Sequence, residues 1–237
     1  TTEIYSLSLH DALPIFMFYG GFNTKWKTAR PVAVKAVLLS TCGVILTAAF
    51  TMLFCYFVLR FPIAESFLVG AVLSATDAAS VFAILRRKKL NLKDGVASLL
   101  EIESGSNDPI AYMLTVIGIY ILNGDNLIKV PYVIFAQIVY GVLIGIGLAV
   151  AAIYVLTRTD IIVNGLDTIF ILAVVLLGLG LSQLVGGNEF LCIYLFGILL
   201  GNSRIRNKGN IVPFFDGVTT LAQIVIFFRS EEHTSEL

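Results

Sequence analysis

Residues 74–109 read SATDAASVFAILRRKKLNLKDGVASLLEIESGSNDP, and this stretch decides the fold. Its two ends are apolar with acids embedded in them, and its centre is a basic run at residues 86–93. The apolar ends extend outward into runs at residues 63–85 and 96–122. Each run has about the 20 residues that a helix needs to cross a bilayer. The pattern predicts two antiparallel transmembrane helices joined by a basic connection.

The composition of the whole chain indicates lipid as its solvent. Of the 237 residues, 57% are hydrophobic and 14% are charged, whereas a soluble domain carries about 25% charged residues. The equal numbers of basic and acidic residues, 16 each, exclude a nucleic-acid partner. Both histidines lie near the termini and the three cysteines are isolated. This distribution excludes a zinc or haem enzyme, and we expect no cofactor.

Eight apolar segments follow one another along the chain. The first is a short stub and the seventh is also short, whereas the others approach the length of a membrane span. The longer segments exceed the length of a membrane strand, and apolar and polar residues do not alternate along them. Only helices therefore satisfy the hydrogen bonds of their backbone in lipid. We predict an all-α, polytopic transmembrane bundle of about seven helices plus one partial helix. The segments are residues 16–22, 31–59, 63–85, 96–122, 130–156, 166–185, 190–200 and 211–228.

The basic residues between the segments alternate from one connection to the next. The odd-numbered connections hold 12 lysines and arginines in total, and the even-numbered connections hold 2. Because Lys and Arg are enriched in cytoplasmic loops, the odd connections are predicted to lie inside. The regular alternation also supports the number of helices, since one missed helix would scramble it.

The two ends of the chain differ abruptly in character from the apolar body. Residues 1–15 and 229–237 resemble translated sequencing-adapter sequence, and they do not fit a secretory signal peptide. We therefore expect a membrane domain at residues 16–228 between two non-native tails. We also expect the natural protein to continue in both directions.

Two aspartates are predicted to lie near the middle of the bilayer. Asp77 precedes the basic run at residue 86 by nine positions, roughly 13 Å along a helix. Asp108 is twelve residues into its segment, roughly 18 Å. Half a hydrocarbon core is about 15 Å, so both acids reach a similar depth. An acid there costs about 2.5–3.5 kcal/mol, which indicates function, although a buried structural hydrogen-bonding group is the alternative.

Helical spacing arranges the polar residues of the fourth segment on adjacent faces. Glu101, Ser104 and Asp108 are three and four residues apart and share one face. Glu103 and Asn107 are four apart and share the next face. The fourth segment therefore presents several oxygen atoms on one side at membrane depth.

The third segment is predicted to unwind near its middle. Residues 74–80 are small and polar, and unwound backbone is tolerated at membrane depth where it lines a cavity. Carbonyl oxygens freed there can coordinate a cation. Thr76, Asp77, Ser104 and Asp108 add the oxygen ligands that a singly charged cation requires. No other metal site is expected.

The sequence at residues 74–109 resembles the signature region of the cation:proton antiporter superfamily, in particular the bacterial NhaP-type potassium/proton and sodium/proton exchangers. The resemblance covers roughly residues 16–228. It implies an inverted-repeat antiporter fold, incomplete in this chain, with a discontinuous helix around Thr76 and Asp77. It also implies a secondary transporter, not an enzyme, that exchanges Na⁺ or K⁺ for protons. The cation is left open by the ligand set.

The resemblance assigns roles to individual residues. Asp108 would bind cation and proton alternately, and Asn107 marks the branch regarded as electroneutral. Ser104 would join Asp108 in binding the cation, with Thr76 and Asp77 contributing from the crossing helix. A further acid, Glu103, resembles the structural acid that pairs with an arginine on a later helix.

The chain also departs from the family pattern. Asn23 stands where some relatives carry a glutamate, and the second crossing helix is absent. We expect that the chain cannot transport as it stands. The resemblance further implies a homodimer of the full-length protein in a bacterial inner membrane.

Three other functions stay open at this point. A potassium-efflux system of the glutathione-regulated type belongs to the same superfamily. Two aspartates at one depth also suit an intramembrane aspartyl protease, although the Gly-x-Gly-Asp signature of that class is missing. An ion channel would need a filter or a symmetric pore lining, and neither is visible.

Glycines in the fifth segment predict close helix packing. Gly141, Gly145 and Gly147 fall in an apolar run without membrane-embedded charge. We expect this segment to belong to the scaffold or dimerisation side, and plain lipid-facing packing is the alternative.

Overall fold

A computed structural model describes residues 14–76, 95–158, 166–205 and 208–235, the last stretch from residue 225 by its backbone alone. The described residues form eight α-helices and one 3₁₀ turn, Leu127–Lys129, which confirms the predicted all-α bundle. The helices are α1 (residues 14–23), α2 (Trp26–Phe57), α3 (Ile63–Val72), α4 (Val96–Leu122), α5 (Val130–Arg158), α6 (Asp167–Val185), α7 (Glu189–Asn202) and α8 (Lys208–Ser235).

Three stretches of the described chain are long and apolar enough to cross a membrane. They are Trp26–Phe57, Leu127–Arg158 and Asp167–Val185, with mean hydropathies of 2.1, 2.4 and 2.4. Large apolar side chains on these helices point outward, and Phe50 is 70% exposed. Such surfaces are stable against lipid and unstable against water. The 27 residues of α4 fall outside this group because acids and amides interrupt its apolar sequence.

Helix α4 joins two groups of helices. On one side α2, α3 and α4 pack against one another, and on the other side α5 packs against α6 and α7. Helix α4 also contacts α5 and α7. The helix that carries most of the predicted site therefore lies at the boundary between the two groups.

The predicted close packing of α5 is confirmed at two of its three glycines. A Cβ atom on Gly145 would lie 2.6 Å from the carbonyl oxygen of Cys192, and one on Gly141 would lie 2.8 Å from the carbonyl oxygen of Asn188. A Cβ atom on Gly147 would have no atom of the described residues within 4 Å, apart from its own helix backbone. The first two glycines therefore bring the backbone of α5 against that of α7.

The larger buried apolar cluster of the described residues joins α1, α5, α6, α7 and α8, and three phenylalanines lie in it where α1, α7 and α8 meet. The Phe18 ring lies 5.3 Å from the Phe196 ring and 4.8 Å from the Phe215 ring, measured between centroids. All three side chains are fully buried. This cluster anchors the short helix α7, whose start contributes to the site described below.

Helix α2 begins earlier than the apolar pattern predicts. The expected start is residue 31, whereas the helix starts at Trp26. The Trp26 N–H donates to Asn202 Oδ1 at 2.9 Å, and Asn202 Nδ2 donates to the Thr24 carbonyl oxygen at 2.8 Å. A side chain at the end of α7 thus satisfies a backbone donor at the start of α2.

Helix α3 ends well before the predicted end of its segment. The segment was expected to reach residue 85, and the helix ends at Val72, with a turn at residues 73–74. The Ser74 hydroxyl donates to the Ala71 carbonyl oxygen at 2.6 Å within this turn. The end of α3 therefore lies where small polar residues predict an interruption.

The two predicted tails lie partly within the described residues. Helix α1 includes residues 14 and 15, and the backbone of α8 continues from residue 229 to Ser235. The adapter origin of both tails stays a prediction.

Candidate functional site

The non-helical residues after α3 meet α4 through a hydrogen bond between two predicted site residues. Asn107 Nδ2 donates to Thr76 Oγ1 at 2.6 Å. The same amide group reaches Glu103 Oε1 at 3.5 Å, one turn earlier in α4. Asn107 is buried and Glu103 is half-buried. The two segments singled out in the sequence are therefore in contact at their polar residues.

Ser104 and Asp108 lie one turn apart on α4, as their spacing predicts. The helix is continuous from Val96 to Leu122, because Pro109 is accommodated inside it. Ser104 is fully buried and Asp108 is half-buried. A half-buried ionisable group thus lies one helical turn from a buried hydroxyl along α4.

Two oxygen atoms near Asp108 have no hydrogen-bond partner among the described residues. They are Ser104 Oγ and Asn107 Oδ1, and both are shielded from solvent. A buried polar atom left unpaired costs about 1–3 kcal/mol. Such oxygens can coordinate a cation, which would supply the missing interaction.

Two other positions singled out in the sequence, Asp77 and Asn23, have different outcomes. Asp77 falls outside the described residues, so its predicted place beside Asp108 stays a prediction. Asn23, at the end of α1, turns its side chain back on its own helix and donates to the Tyr19 carbonyl oxygen at 2.8 Å.

Asn188, which the sequence did not single out, ties three helices together beside the site. Its side-chain Nδ2 donates to the Pro109 carbonyl oxygen at 2.7 Å, and its Oδ1 accepts from the Leu191 N–H at 3.0 Å. Its backbone N–H donates to the Gln137 carbonyl oxygen at 3.0 Å. Asn188 therefore caps the start of α7 while it contacts α4 and α5.

Glu189 is a second buried polar residue that sequence reasoning missed. Its Oε2 accepts a 2.6 Å hydrogen bond from Gln183 Nε2, and the residue is 1% exposed. The seventh apolar segment gave the missing signal. Its eleven predicted residues, 190–200, cover roughly 16 Å as a helix, which is too short for a span. A segment that short can start inside the bilayer, and Glu189, which directly precedes it, is then at membrane depth like Asp77.

Glu189 lines a cavity of about 350 Å³. The walls come from the second half of α4, the start of α5 and the turn between α6 and α7. The lining combines aromatic, amide and acidic side chains, including Tyr112, Gln137 and Gln183.

The fold resembles a solved antiporter structure. The electron-microscopy structure of the sodium proton antiporter MjNhaP1 from Methanocaldococcus jannaschii superposes with a TM-score of 0.76, at 22% sequence identity. The match covers 95% of this chain and 56% of that chain. The described helices therefore adopt part of that fold.

Sequence relatives give the same result. The K(+)/H(+) antiporter NhaP2 of Shewanella sp. (strain ANA-3) is 35% identical over 220 residues, and NhaP of Alkalimonas amylolytica, another K(+)/H(+) antiporter, is 34% identical over 218 residues. In both cases the match covers 91% of this chain and 38% of the relative. The Na(+)/H(+) antiporter NhaS2 of Synechocystis sp. is 25% identical over 232 residues, which is 93% of this chain and 42% of that protein.

The chain thus spans less than half the length of these relatives. The family described as "Sodium/hydrogen exchanger, transmembrane" matches residues 9–230, which is nearly the whole sequence. This match identifies the chain as an integral membrane protein that belongs to the transmembrane sodium/hydrogen exchanger family.

Proposed function

We propose that this chain is part of a secondary transporter that exchanges a monovalent cation, Na⁺ or K⁺, for a proton at Asp108. The observation that carries the proposal is the Thr76–Asn107 hydrogen bond, which joins the polar end of α3 to α4. Two buried oxygens without partners among the described residues, Ser104 Oγ and Asn107 Oδ1, belong to residues four positions and one position before Asp108 on α4. The sequence relatives, which are K(+)/H(+) and Na(+)/H(+) antiporters, support the same exchange.

One carboxyl group is sufficient for coupled exchange. In a desolvated site a carboxylate is stabilised either by a proton or by a nearby positive charge. The cation-loaded state uses ionised Asp108 together with the oxygens of Ser104, Asn107 and Thr76. The proton-loaded state is neutral and releases the cation. Because one monovalent cation moves one way for each proton that moves the other way, no net charge is transferred and the exchange is electroneutral.

The remaining roles follow the family resemblance. Asp77 contributes a second carboxylate from the segment after α3, and Glu103 acts as a structural acid that pairs with an arginine on a later helix. Residues 16–228 form a fragment of the antiporter domain, with about seven helices plus a partial one. The complete protein crosses a bacterial inner membrane several times and forms a homodimer.

Family membership favours transport over two of the alternatives. The sequence relatives described above are antiporters, and this favours transport over an intramembrane protease or a channel. The potassium-efflux alternative belongs to the same superfamily, and nothing in the described residues favours it.

The decisive test is Asp108→Asn in the complete protein that carries this chain. A pH gradient, acidic inside, is established across everted vesicles. Proton efflux after addition of Na⁺ or K⁺ is followed by the dequenching of a fluorescent pH-indicating dye. We expect no cation-dependent dequenching with Asp108→Asn and normal amounts of protein in the membrane. Glu65→Gln is the matched control, because Glu65 is an exposed acid in the first turn of α3. Wild-type exchange by Asp108→Asn would refute the carrier role.

A weaker effect is expected for Asp77→Asn in the same vesicles. This change leaves Asp108 as the carrier and removes one ligand charge, so the KM for the cation rises while turnover persists. Complete loss of exchange with Asp77→Asn would assign Asp77 a share in proton transfer instead.

A further inference from the structure

The second half of the turn between α6 and α7 is buried in the helix bundle, at residues 187–189, whereas residues 183–186 are exposed. Asn188 in this turn reaches the Pro109 carbonyl oxygen in the interior of α4 and the Gln137 carbonyl oxygen in α5. Helix α4 continues for thirteen residues beyond Pro109, about 20 Å. Helix α5 begins seven residues before Gln137, about 10 Å. The turn is therefore recessed by about 10 Å or more from the nearby ends of α4 and α5.

The recess contains the 350 Å³ cavity that Glu189 lines. Tyr120, near the end of α4, and Tyr132, near the start of α5, line it towards the helix ends. These two ends flank the fourth connection, and the turn itself is the sixth; both connections hold few basic residues. The bias of Lys and Arg toward the cytoplasm assigns this side to the outside of the membrane.

The floor of the cavity is polar although it is buried. Glu189 is 1% exposed, and Gln183 Nε2 donates a 2.6 Å hydrogen bond to its carboxylate. Gln137 is 2% exposed, and neither Nε2 nor Oε1 of its side chain has a hydrogen-bond partner among the described residues. A buried amide left without partners costs about 1–3 kcal/mol. The Gln137 amide therefore points to a ligand in the cavity.

The cavity also approaches the proposed carrier. Tyr112, in its wall, follows Asp108 by four residues, which is about 6 Å along α4. On the floor of the cavity, Glu189 follows Asn188, whose side chain bonds to the carbonyl oxygen next to Asp108 in sequence. An ion in the cavity would thus lie within one or two helical turns of Asp108.

We propose that Glu189, Gln137 and Gln183 form a second site for a monovalent cation, on the outer side of Asp108. This inference rests on the proposed exchange function, because the site would deliver the transported cation to Asp108. Glu189 supplies the negative charge and Gln137 Oε1 supplies a neutral oxygen ligand. A single carboxylate with amide oxygens suits a monovalent cation, whereas protein sites for divalent cations usually add further carboxylates.

The size of the cavity is consistent with a partly hydrated cation. A water molecule occupies about 30 Å³ in the liquid, so 350 Å³ holds an ion together with several waters. The carboxylate of Glu189 disfavours anions in the same space. A cation that keeps part of its hydration shell binds with little dehydration cost. This suits a second site that takes up the cation and then releases it to Asp108.

The experiment measures Tl⁺ binding, because Tl⁺ is a monovalent probe that replaces Na⁺ or K⁺ and can be counted by its radioactivity. The complete protein that carries this chain is purified in detergent and dialysed to equilibrium against Tl⁺. Wild type, Glu189→Gln, Asp108→Asn and the double variant are compared. Glu189→Gln preserves the size of the side chain and its hydrogen bonding to Gln183, and thermal unfolding checks that each variant is folded.

We expect Glu189→Gln to lose about one bound Tl⁺ per chain, Asp108→Asn to lose another, and the double variant to lose both. Gln137→Met should weaken the same Glu189-dependent binding at least several-fold. The control Glu65→Gln should bind as wild type does. If Glu189→Gln binds as much Tl⁺ as wild type, the second site is refuted while the proposed function stands. If only Asp108→Asn has no effect, the second site stands and the carrier role fails. Absence of Tl⁺ binding to wild type would overturn both.

Discussion

Asn188 Nδ2 donates a 2.7 Å hydrogen bond to the carbonyl oxygen of Pro109, 79 residues away in sequence. The carbonyl belongs to the residue that follows Asp108, and the donor belongs to the residue that precedes Glu189. The bond therefore fixes the start of α7 against the segment of α4 that carries the proposed exchange site. Movement of α4 relative to α7 would break this hydrogen bond, whereas movement of the two helices together would preserve it.

The first prediction separates the two roles of Asn188 in stability. Asn188→Ser keeps an oxygen that can cap the Leu191 N–H but cannot reach Pro109, whereas Asn188→Ala removes both interactions. Hydrogen bonds inside membrane proteins contribute about 0.6 kcal/mol on average, and a helix cap contributes about 1 kcal/mol. We expect Asn188→Ser to cost about 0.6–1 kcal/mol and Asn188→Ala about 1 kcal/mol more, measured by unfolding in detergent. Equal losses for the two variants would show that the cap contributes nothing.

A second prediction concerns the hydroxyl of Thr76. Thr76→Val keeps the shape of the side chain but removes the acceptor for Asn107 Nδ2. We expect the KM for the cation to rise about tenfold, equivalent to about 1.4 kcal/mol, because Asn107 is no longer held in place. Thr76→Ser should restore wild-type KM.

The control for Thr76→Val is Thr115→Val on α4. The Thr115 hydroxyl donates to the Ala111 carbonyl oxygen at 2.8 Å within its own helix. Loss of this hydroxyl should leave the KM for the cation unchanged. A KM rise of the same size in both variants would indicate a general effect of removing hydroxyls, and the role of Thr76 would be abandoned.

The third prediction uses Ser104, whose buried hydroxyl has no hydrogen-bond partner among the described residues. Removal of a hydroxyl that makes no bond relieves a desolvation cost, so Ser104→Ala should unfold at the same or a higher temperature. Cation affinity should nevertheless fall several-fold, because a ligand oxygen is lost. The opposite pattern, lower stability with unchanged affinity, would make Ser104 a structural residue.

The positions of the helices could be predicted from the sequence because lipid leaves the backbone few alternatives. Helix α4 spans Val96–Leu122, the same residues as the predicted segment. The sequence also predicts a similar depth for Asp77 and Asp108 on antiparallel helices, and the observed hydrogen bond joins the residues just before them, Thr76 and Asn107. In these cases the prediction needs only nearby sequence: hydrophobicity gives the bounds of a helix, and distance from a basic connection gives the depth of a residue in the membrane.

The remaining features depend on contacts between distant segments. The start of α2 is fixed by Asn202, 176 residues from Trp26, and nothing near Trp26 indicates this cap. The depth of Glu189 depends on how α7 packs against α4 and α5. The sequence at residues 186–189, Gly-Gly-Asn-Glu, is typical of an exposed turn. Burial of such a residue is a property of the packed bundle, so sequence patterns alone miss it.

The last prediction compares two glycines of α5 that have the same helix propensity but different surroundings. At Gly145 an added Cβ would lie 2.6 Å from the Cys192 carbonyl oxygen and 3.2 Å from its Cα, both parts of the α7 backbone. Gly145→Ala must therefore push α5 and α7 apart, and overpacking of this kind costs about 1–3 kcal/mol. At Gly147 an added Cβ would meet no atom of another described helix within 4 Å, so Gly147→Ala should stabilise the helix by about 0.5–1 kcal/mol. Thermal unfolding of both variants in detergent measures the difference, and its sign is the test. If Gly145→Ala is as stable as Gly147→Ala, then α5 and α7 do not pack as closely in the membrane as their backbones do here, and the recess that holds Glu189 would lose one of its walls.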